Sequence, residues 1–141
     1  MSDKVNKIKY DSDLMKLMAL FESISGAKVK DAIANDKVTF VIEENDMGKA
    51  IGKNGMNIKK MEHMLKKKIK LVEFSNDVVQ FVRNIIHPIE VQNIEYDNGV
   101  VTISGKDTGT KSMLIGREHQ NLNHTADLVK RYFDVKAIKV I

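Results

Sequence analysis

The chain has 141 residues, 43% of them hydrophobic and 30% charged, enough for one average domain or two small ones and unlike a disordered or fibrous protein. It contains no cysteine, which excludes disulfides and thiolate zinc sites. The formal charge is only +4, the start from Met1 to Lys7 is polar, and no apolar run reaches the length of a signal peptide or membrane span, so a cytoplasmic protein with no membrane partner is expected.

Leu14, Leu17, Met18, Phe21 and Ile24 recur at helical spacing and predict a first helix with one apolar face. Two strands follow, one near Val29 to Ala34 and one over the β-branched run Val38-Thr39-Phe40-Val41-Ile42. Next comes Ile51-Gly52-Lys53-Asn54-Gly55-Met56-Asn57-Ile58, where two glycines three apart lie between apolar residues that read as helix on both sides. Lacking Cβ, Gly52 and Gly55 let the chain turn with positive φ and approach another backbone closely. The helix starting near Met56 then points its first N–H groups at an anion, and Lys53 adds a positive charge at the tip. A helix–turn–helix connection that merely uses glycine is the plainer reading of these residues. Charge separates the two readings. Met47 to Lys70 carries eight lysines against Glu62 alone, +7 in one segment, whereas the chain after Ser75 has 8 basic and 8 acidic residues. That is an electrostatic footprint, although Lys66 to Lys68 also suit a solvated helix end.

Ile58, Met61 and Leu65 mark the apolar face of the next helix, and Ile69 to Phe74 a closing strand. The join falls near Ser75-Asn76-Asp77, where Ser or Asn can cap the helix carrying Val78, Phe81, Val82, Ile85 and Ile86. His87-Pro88 ends that helix, because the residue before proline avoids the α region. Strands are expected near Ile89 to Tyr96 and over Val100 to Ile103, then the loop Ile115-Gly116-Arg117. A helix with Leu122, Ala126, Val129 and Phe133 and a last strand from Val135 to Ile141 complete the chain. A shift of 64 residues lays Ile51-Gly52 on Ile115-Gly116, Asn57 on Asn121 and Ile58 on Leu122. The order helix, strand, strand, helix, glycine loop, helix, strand therefore occurs twice. Each half reads as a sheet covered on one face by helices, and the small size of each predicts that the halves pack together.

Catalytic signatures are weak. Gly105-Lys106-Asp107-Thr108-Gly109-Thr110-Lys111-Ser112 approaches the phosphate-binding motif G-x-x-x-x-G-K-[ST], but threonine stands where that motif needs its second glycine. The alternative is a strand-to-helix loop in which Lys111 is a cation available to an anionic partner. His63, His87, His119 and His124 do not fall at metal-ligand spacings, and no nucleophilic triad is evident. No catalytic residue, metal or cofactor is expected.

The element order and the Ile-Gly-x-x-Gly-x-x-Ile loop resemble the prokaryotic (type II) KH domain, and two in tandem resemble the RNA-binding half of the transcription termination/antitermination factor NusA. In length the chain is similar to the short archaeal NusA-like proteins; 141 residues leave no room for the polymerase-binding and OB-fold domains of the bacterial proteins. The resemblance spans about Asp11 to Ile141. It implies an α+β fold of two tandem αββααβ units, 1–75 and 76–141, each a three-stranded sheet with helices on one face. It further implies a single-stranded RNA-binding factor in transcription termination or antitermination, with a ribosomal or rRNA role as the alternative. RNA polymerase or the ribosome are the implied protein partners, and a monomer is expected. A scaffold that binds protein through an exposed sheet edge is a third reading.

The resemblance also assigns residues. The KH loop clamps about four backbone nucleotides: Gly52 and Gly55 would admit phosphates, Lys53 and Asn54 form the tip, and Lys49, Lys59 and Lys60 supply the field. Ile51 and Ile58 would border the groove or serve as core, and Asn57 would offer its amide to a base or cap its own helix. In the second loop Gly116, Arg117, Gln120 and Asn121 keep the pattern. Glu118 brings a negative charge, and His119 adds a Cβ where the second glycine would stand, so this loop is expected to be the weaker.

Overall fold

The computed structural model describes the backbone of residues 2–34 and 37–141, with side chains from Asp13 onward; the side chains of the polar start, Met1 to Lys7, lie outside that range. The chain divides into two compact units, Met1–Phe74 and Ser75–Ile141.

In the first unit helix α1 (Ser2–Ser25) precedes strands β1 (Val29–Ala34) and β2 (Val38–Ile42). Its apolar stripe does what its spacing predicts, with Leu14 and Phe21 buried. The helix ends where Ser25 Oγ turns back to donate to the Phe21 carbonyl at 2.7 Å and Gly26 N–H reaches the Glu22 carbonyl at 2.8 Å. Helices α2 (Met47–Ile51) and α3 (Met56–Leu65) follow, joined by a 3-10 turn over Lys53–Gly55, and strand β3 (Ile69–Glu73) closes the unit. The sheet order is β1-β2-β3, with β2 antiparallel to β1 and parallel to β3. Val38, Phe40 and Ile42 project from β2 into a cluster with Leu14, Phe21, Ala50 and Met61. Phe21 stacks on Phe40 with ring centroids 4.9 Å apart. One helix from each side of the sheet sequence thus meets the central strand, and each such buried aromatic contributes on the order of 2–3 kcal/mol by area alone.

Lys70 on β3 is partly buried, and burial, reinforced by the charge of Lys37, pulls its ammonium down from 10.5 to about 8. The unfolded chain keeps this proton up to about 10.5 and the folded chain only to about 8. The destabilisation is therefore complete below pH 8 and fades as pH rises to 10.5. Lys70→Met is expected to raise the melting temperature at neutral pH, with the gain disappearing above that window; equal melting temperatures at neutral pH would contradict the burial argument.

The second unit repeats the order: α4 (Val78–Ile86), β4 (Asn93–Asp97), β5 (Val100–Ser104), α5 (Thr108–Ile115), a 3-10 turn over Arg117–His119, α6 (Gln120–Tyr132) and β6 (Ala137–Val140). Its sheet order is β4-β5-β6 with the same antiparallel and parallel pairings. Ile94, Val101, Ile103, Leu114, Leu128 and Val129 are buried, and Phe81 meets Tyr132 edge-on at 5.7 Å.

Two local expectations are corrected. Neither Ser75 nor Asn76 caps α4: the Asp77 carboxylate accepts the Gln80 N–H at 3.2 Å, while Ser75 Oγ accepts from the Asp77 N–H. The strand expected from Ile89 begins only at Asn93. The alternation Ile89-Glu90-Val91-Gln92 is spent on a connection, closed at its start by Ile89 N–H on the Ile86 carbonyl at 2.9 Å. Among the described residues no helix is long and apolar enough to cross a membrane.

Candidate nucleic-acid interface

The first glycine loop is held at both ends. Gly52 N–H closes α2 on the Gly48 carbonyl at 3.0 Å, and Gly55 N–H closes the turn on the Gly52 carbonyl at 3.2 Å. Gly52 sits at φ 75°, ψ 172°, a region essentially reserved for glycine. A Cβ there would also come within 2.7 Å of Asn57 Nδ2. Asn54 (φ 56°, ψ 29°) and Gly55 (φ 70°, ψ 21°) are both left-handed. At Gly55 an added Cβ would meet no protein atom within 4 Å. The two glycines therefore have different reasons to be there: Gly52 is demanded by the protein itself, whereas Gly55 faces open space.

Asn57 does not cap α3. Its Nδ2 donates to the Lys49 carbonyl at 2.9 Å, tying the first turn of α3 back to α2 across the loop. The reading of this residue as a cap of its own helix is corrected accordingly. No side chain caps the turn or α3, whereas α4 and α5 are capped by Asp77 and Asp107. The first amide of α3, Met56 N–H, donates to the Lys53 carbonyl; no side chain caps the amides that follow it, which lie at the positive end of the helix. Around them Lys49, Lys53, Asn54, Lys59 and Lys60 are exposed, and Ile51, Gly52, Gly55, Asn57 and Ile58 are half-buried. Among the described residues none of these four lysines is ion-paired. Met56, 57% exposed at the start of α3, is an apolar surface that the lysine pattern alone does not single out.

The second loop has the same backbone. Gly116 lies at φ 75°, ψ 172°, Glu118 at φ 54°, ψ 32° and His119 at φ 63°, ψ 19°. Asn121 Nδ2 donates to the Met113 carbonyl at 2.8 Å, and a Cβ on Gly116 would again lie 2.7 Å from the asparagine. The Cβ of His119 therefore does not crowd the fold, because its position corresponds to the open one at Gly55. What differs is charge: exposed Glu118 stands between exposed Arg117 and His119. Gln120 and Asn121 are exposed in the first turn of α6, and Lys111 is exposed on α5 with its stem against Gly105. The expected site residues thus form two groups, one on α2, its turn and α3, the other on α5, its turn and α6.

The P-loop-like stretch is occupied by its own carboxylate. Asp107 accepts the Thr110 N–H at 2.7 Å, where a bound phosphate would need that donor. The Thr110 backbone and side-chain hydrogen bonds hold its carboxyl below the usual aspartate range, so the position is anionic at neutral pH. Among the described residues no group of three or more acidic or histidine side chains could hold a metal.

The KH domain family profile matches residues 16–98, a stretch that includes the first loop and ends before the second. The chain is similar to a probable transcription termination protein NusA of Methanococcus vannielii, 35% identical over 96% of this chain and 80% of that one. It is also similar to the protein of the same name from Thermoplasma acidophilum, 30% identical over 97% of this chain and 98% of that one. The crystal structure of APE1850 matches with a TM-score of 0.72 at 25% identity, covering 92% of this chain and 98% of that one.

Proposed function

The chain belongs to the archaeal NusA family of KH-domain proteins and is an RNA-binding transcription termination factor, and from that membership we propose that it grips single-stranded RNA through the loop from Gly52 to Gly55. One observation carries the assignment of the site. The start of α3, which no side chain caps, follows a turn whose dihedrals at Gly52 only glycine readily adopts, within a segment whose charge is +7. Phosphates approach at Gly55 toward the positive end of α3, and Lys53, Lys49, Lys59 and Lys60 supply the field. Ile51 and Ile58, half-buried at the edge of the loop, offer an apolar border to the bases. Asn57 shapes the loop through its hydrogen bond to the Lys49 carbonyl.

We read the chain as two tandem type II KH units divided near Ser75. The repeated element order and the matching strand pairings of the two sheets support this reading, as does a solved relative that spans both. The second loop contributes Gly116, Arg117, Gln120 and Asn121 with weaker affinity because of Glu118. The protein acts by binding, without a chemical step.

The test is the salt dependence of single-stranded RNA binding. If three or four phosphates are neutralised, log affinity falls against log salt with a slope of about −2 to −3. A slope near zero would sink the clamp.

A further inference from the structure

The two units differ in the connection from first helix to first strand. In the first unit it runs from Gly26 to Lys28, three residues; in the second from His87 to Gln92, six. The longer connection, the last turn of α4 and the loop before α5 together wall a cavity of about 470 Å³. The first unit builds the same element order without this extra segment, so the repeat does not require it.

The cavity has two kinds of wall. Pro88, Ile89 and Val91 form an apolar side, while Arg83, His87 and Lys106 bring nitrogen donors and positive charge. Arg83, His87 and Lys106 are exposed. Glu90, also on the lining, is the only carboxylate there, and it meets Lys106 Nζ at 3.2 Å. That pair is largely solvated, with side chains 50% and 85% exposed. Such a pair is weak, and an incoming anion can take Glu90's place on the lysine. Lys106 comes from the P-loop-like stretch, whose helix start is closed by Asp107; the lysine itself points its chemistry elsewhere, into this cavity.

A volume in the range of small-molecule sites, an apolar wall and a few convergent polar groups are the ordinary composition of a ligand pocket. Here those groups are cationic. We propose that this cavity is a nucleotide-binding site, with the phosphate between Arg83 and Lys106, His87 donating to it, and the base against Pro88, Ile89 and Val91. The guanidinium of Arg83 can take two phosphate oxygens in its planar fork. The ligand is either a free nucleotide or the 5′-phosphorylated end of an RNA, since both present the same chemistry.

The experiment titrates the isotope-labelled full chain with adenosine 5′-monophosphate, adenosine and inorganic phosphate, following backbone amides by NMR. The amides of Ile89 to Gln92 and of Lys106 should shift saturably with the nucleotide and more weakly with either half. Arg83→Glu should weaken that binding by about tenfold or more, and Lys106→Gln should also weaken it. Both residues are exposed, so the rest of the spectrum should stay in place and report an intact fold. Lys53→Glu should leave the nucleotide titration unchanged, which separates this site from the glycine loop. A preference for 5′-phosphorylated over 5′-hydroxyl RNA that Arg83→Glu removes would identify the RNA end as ligand; nucleotide binding without that preference would identify the free nucleotide. The proposal is overturned if the nucleotide leaves these amides unmoved, moves only those of the glycine loops, or binds both variants as it binds the parent.

Discussion

Lys53→Glu combined with Gly55→Asp is expected to weaken single-stranded RNA binding by on the order of a hundredfold or more, the loss of about two charge-assisted phosphate contacts. The fold should survive. Gly55 is left-handed at φ 70°, and a Cβ there meets no protein atom within 4 Å. Aspartate is among the residues that tolerate this region, so a fall of only a few degrees in melting temperature is expected. Lys53 is exposed and unpaired among the described residues. Gly55→His, which copies the side chain of the second loop, should cost much less, since His119 already occupies the same dihedral well at φ 63°, ψ 19°. Fluorescence anisotropy with a short single-stranded RNA, paired with thermal melting, checks all three chains. A folded double variant with parental affinity would remove the loop from the RNA site.

The second large effect is on stability. Gly52→Ala must hold a side chain at φ 75°, ψ 172°, which costs about 1–3 kcal/mol. It must also displace Asn57, whose Nδ2 would lie 2.7 Å from the new Cβ. The sum is expected to be about 2–4 kcal/mol in denaturant unfolding, and Gly116→Ala should cost about the same because Asn121 stands in the same place. Asn57→Ala alone removes one exposed hydrogen bond, about 0.5–1.5 kcal/mol. In that background Gly52→Ala should cost less than in the parent, a coupling that a double-mutant cycle measures. Parental stability for Gly52→Ala would show that the strain argument is wrong. For RNA binding the equality should break, with Gly116→Ala losing less than Gly52→Ala.

Much of this fold is legible in the residues because periodicity is a local property. The stripe Leu14 to Ile24 and the run Val38 to Ile42 place a helix and a central strand that the buried cluster then joins. The start of β4 is not legible from alternation, because Ile89 and Val91 alternate with polar residues whether they pair or turn. A better signal lies downstream. Asn98-Gly99, with φ 50° and 77°, is the dipeptide that two-residue hairpins favour, and pairing counted outward from it reaches Asn93 opposite Ser104. In the candidate interface the glycines and lysines announce themselves. The role of Asn57 does not, since its partner is a backbone carbonyl eight residues away and only the folded loop brings the two together. Likewise, His119 in place of glycine reads as damage until the dihedrals show that its position is one a side chain can occupy.

Shape and charge are set by different residues in these loops. Gly52 with Asn57, and Gly116 with Asn121, fix the mould from inside, while positions 54–55 and 118–119 only face outward. A side chain changed at the outward positions alters what the loop attracts without altering what it is. The protein therefore carries one mould in two charge settings, Lys53-Asn54-Gly55 and Arg117-Glu118-His119.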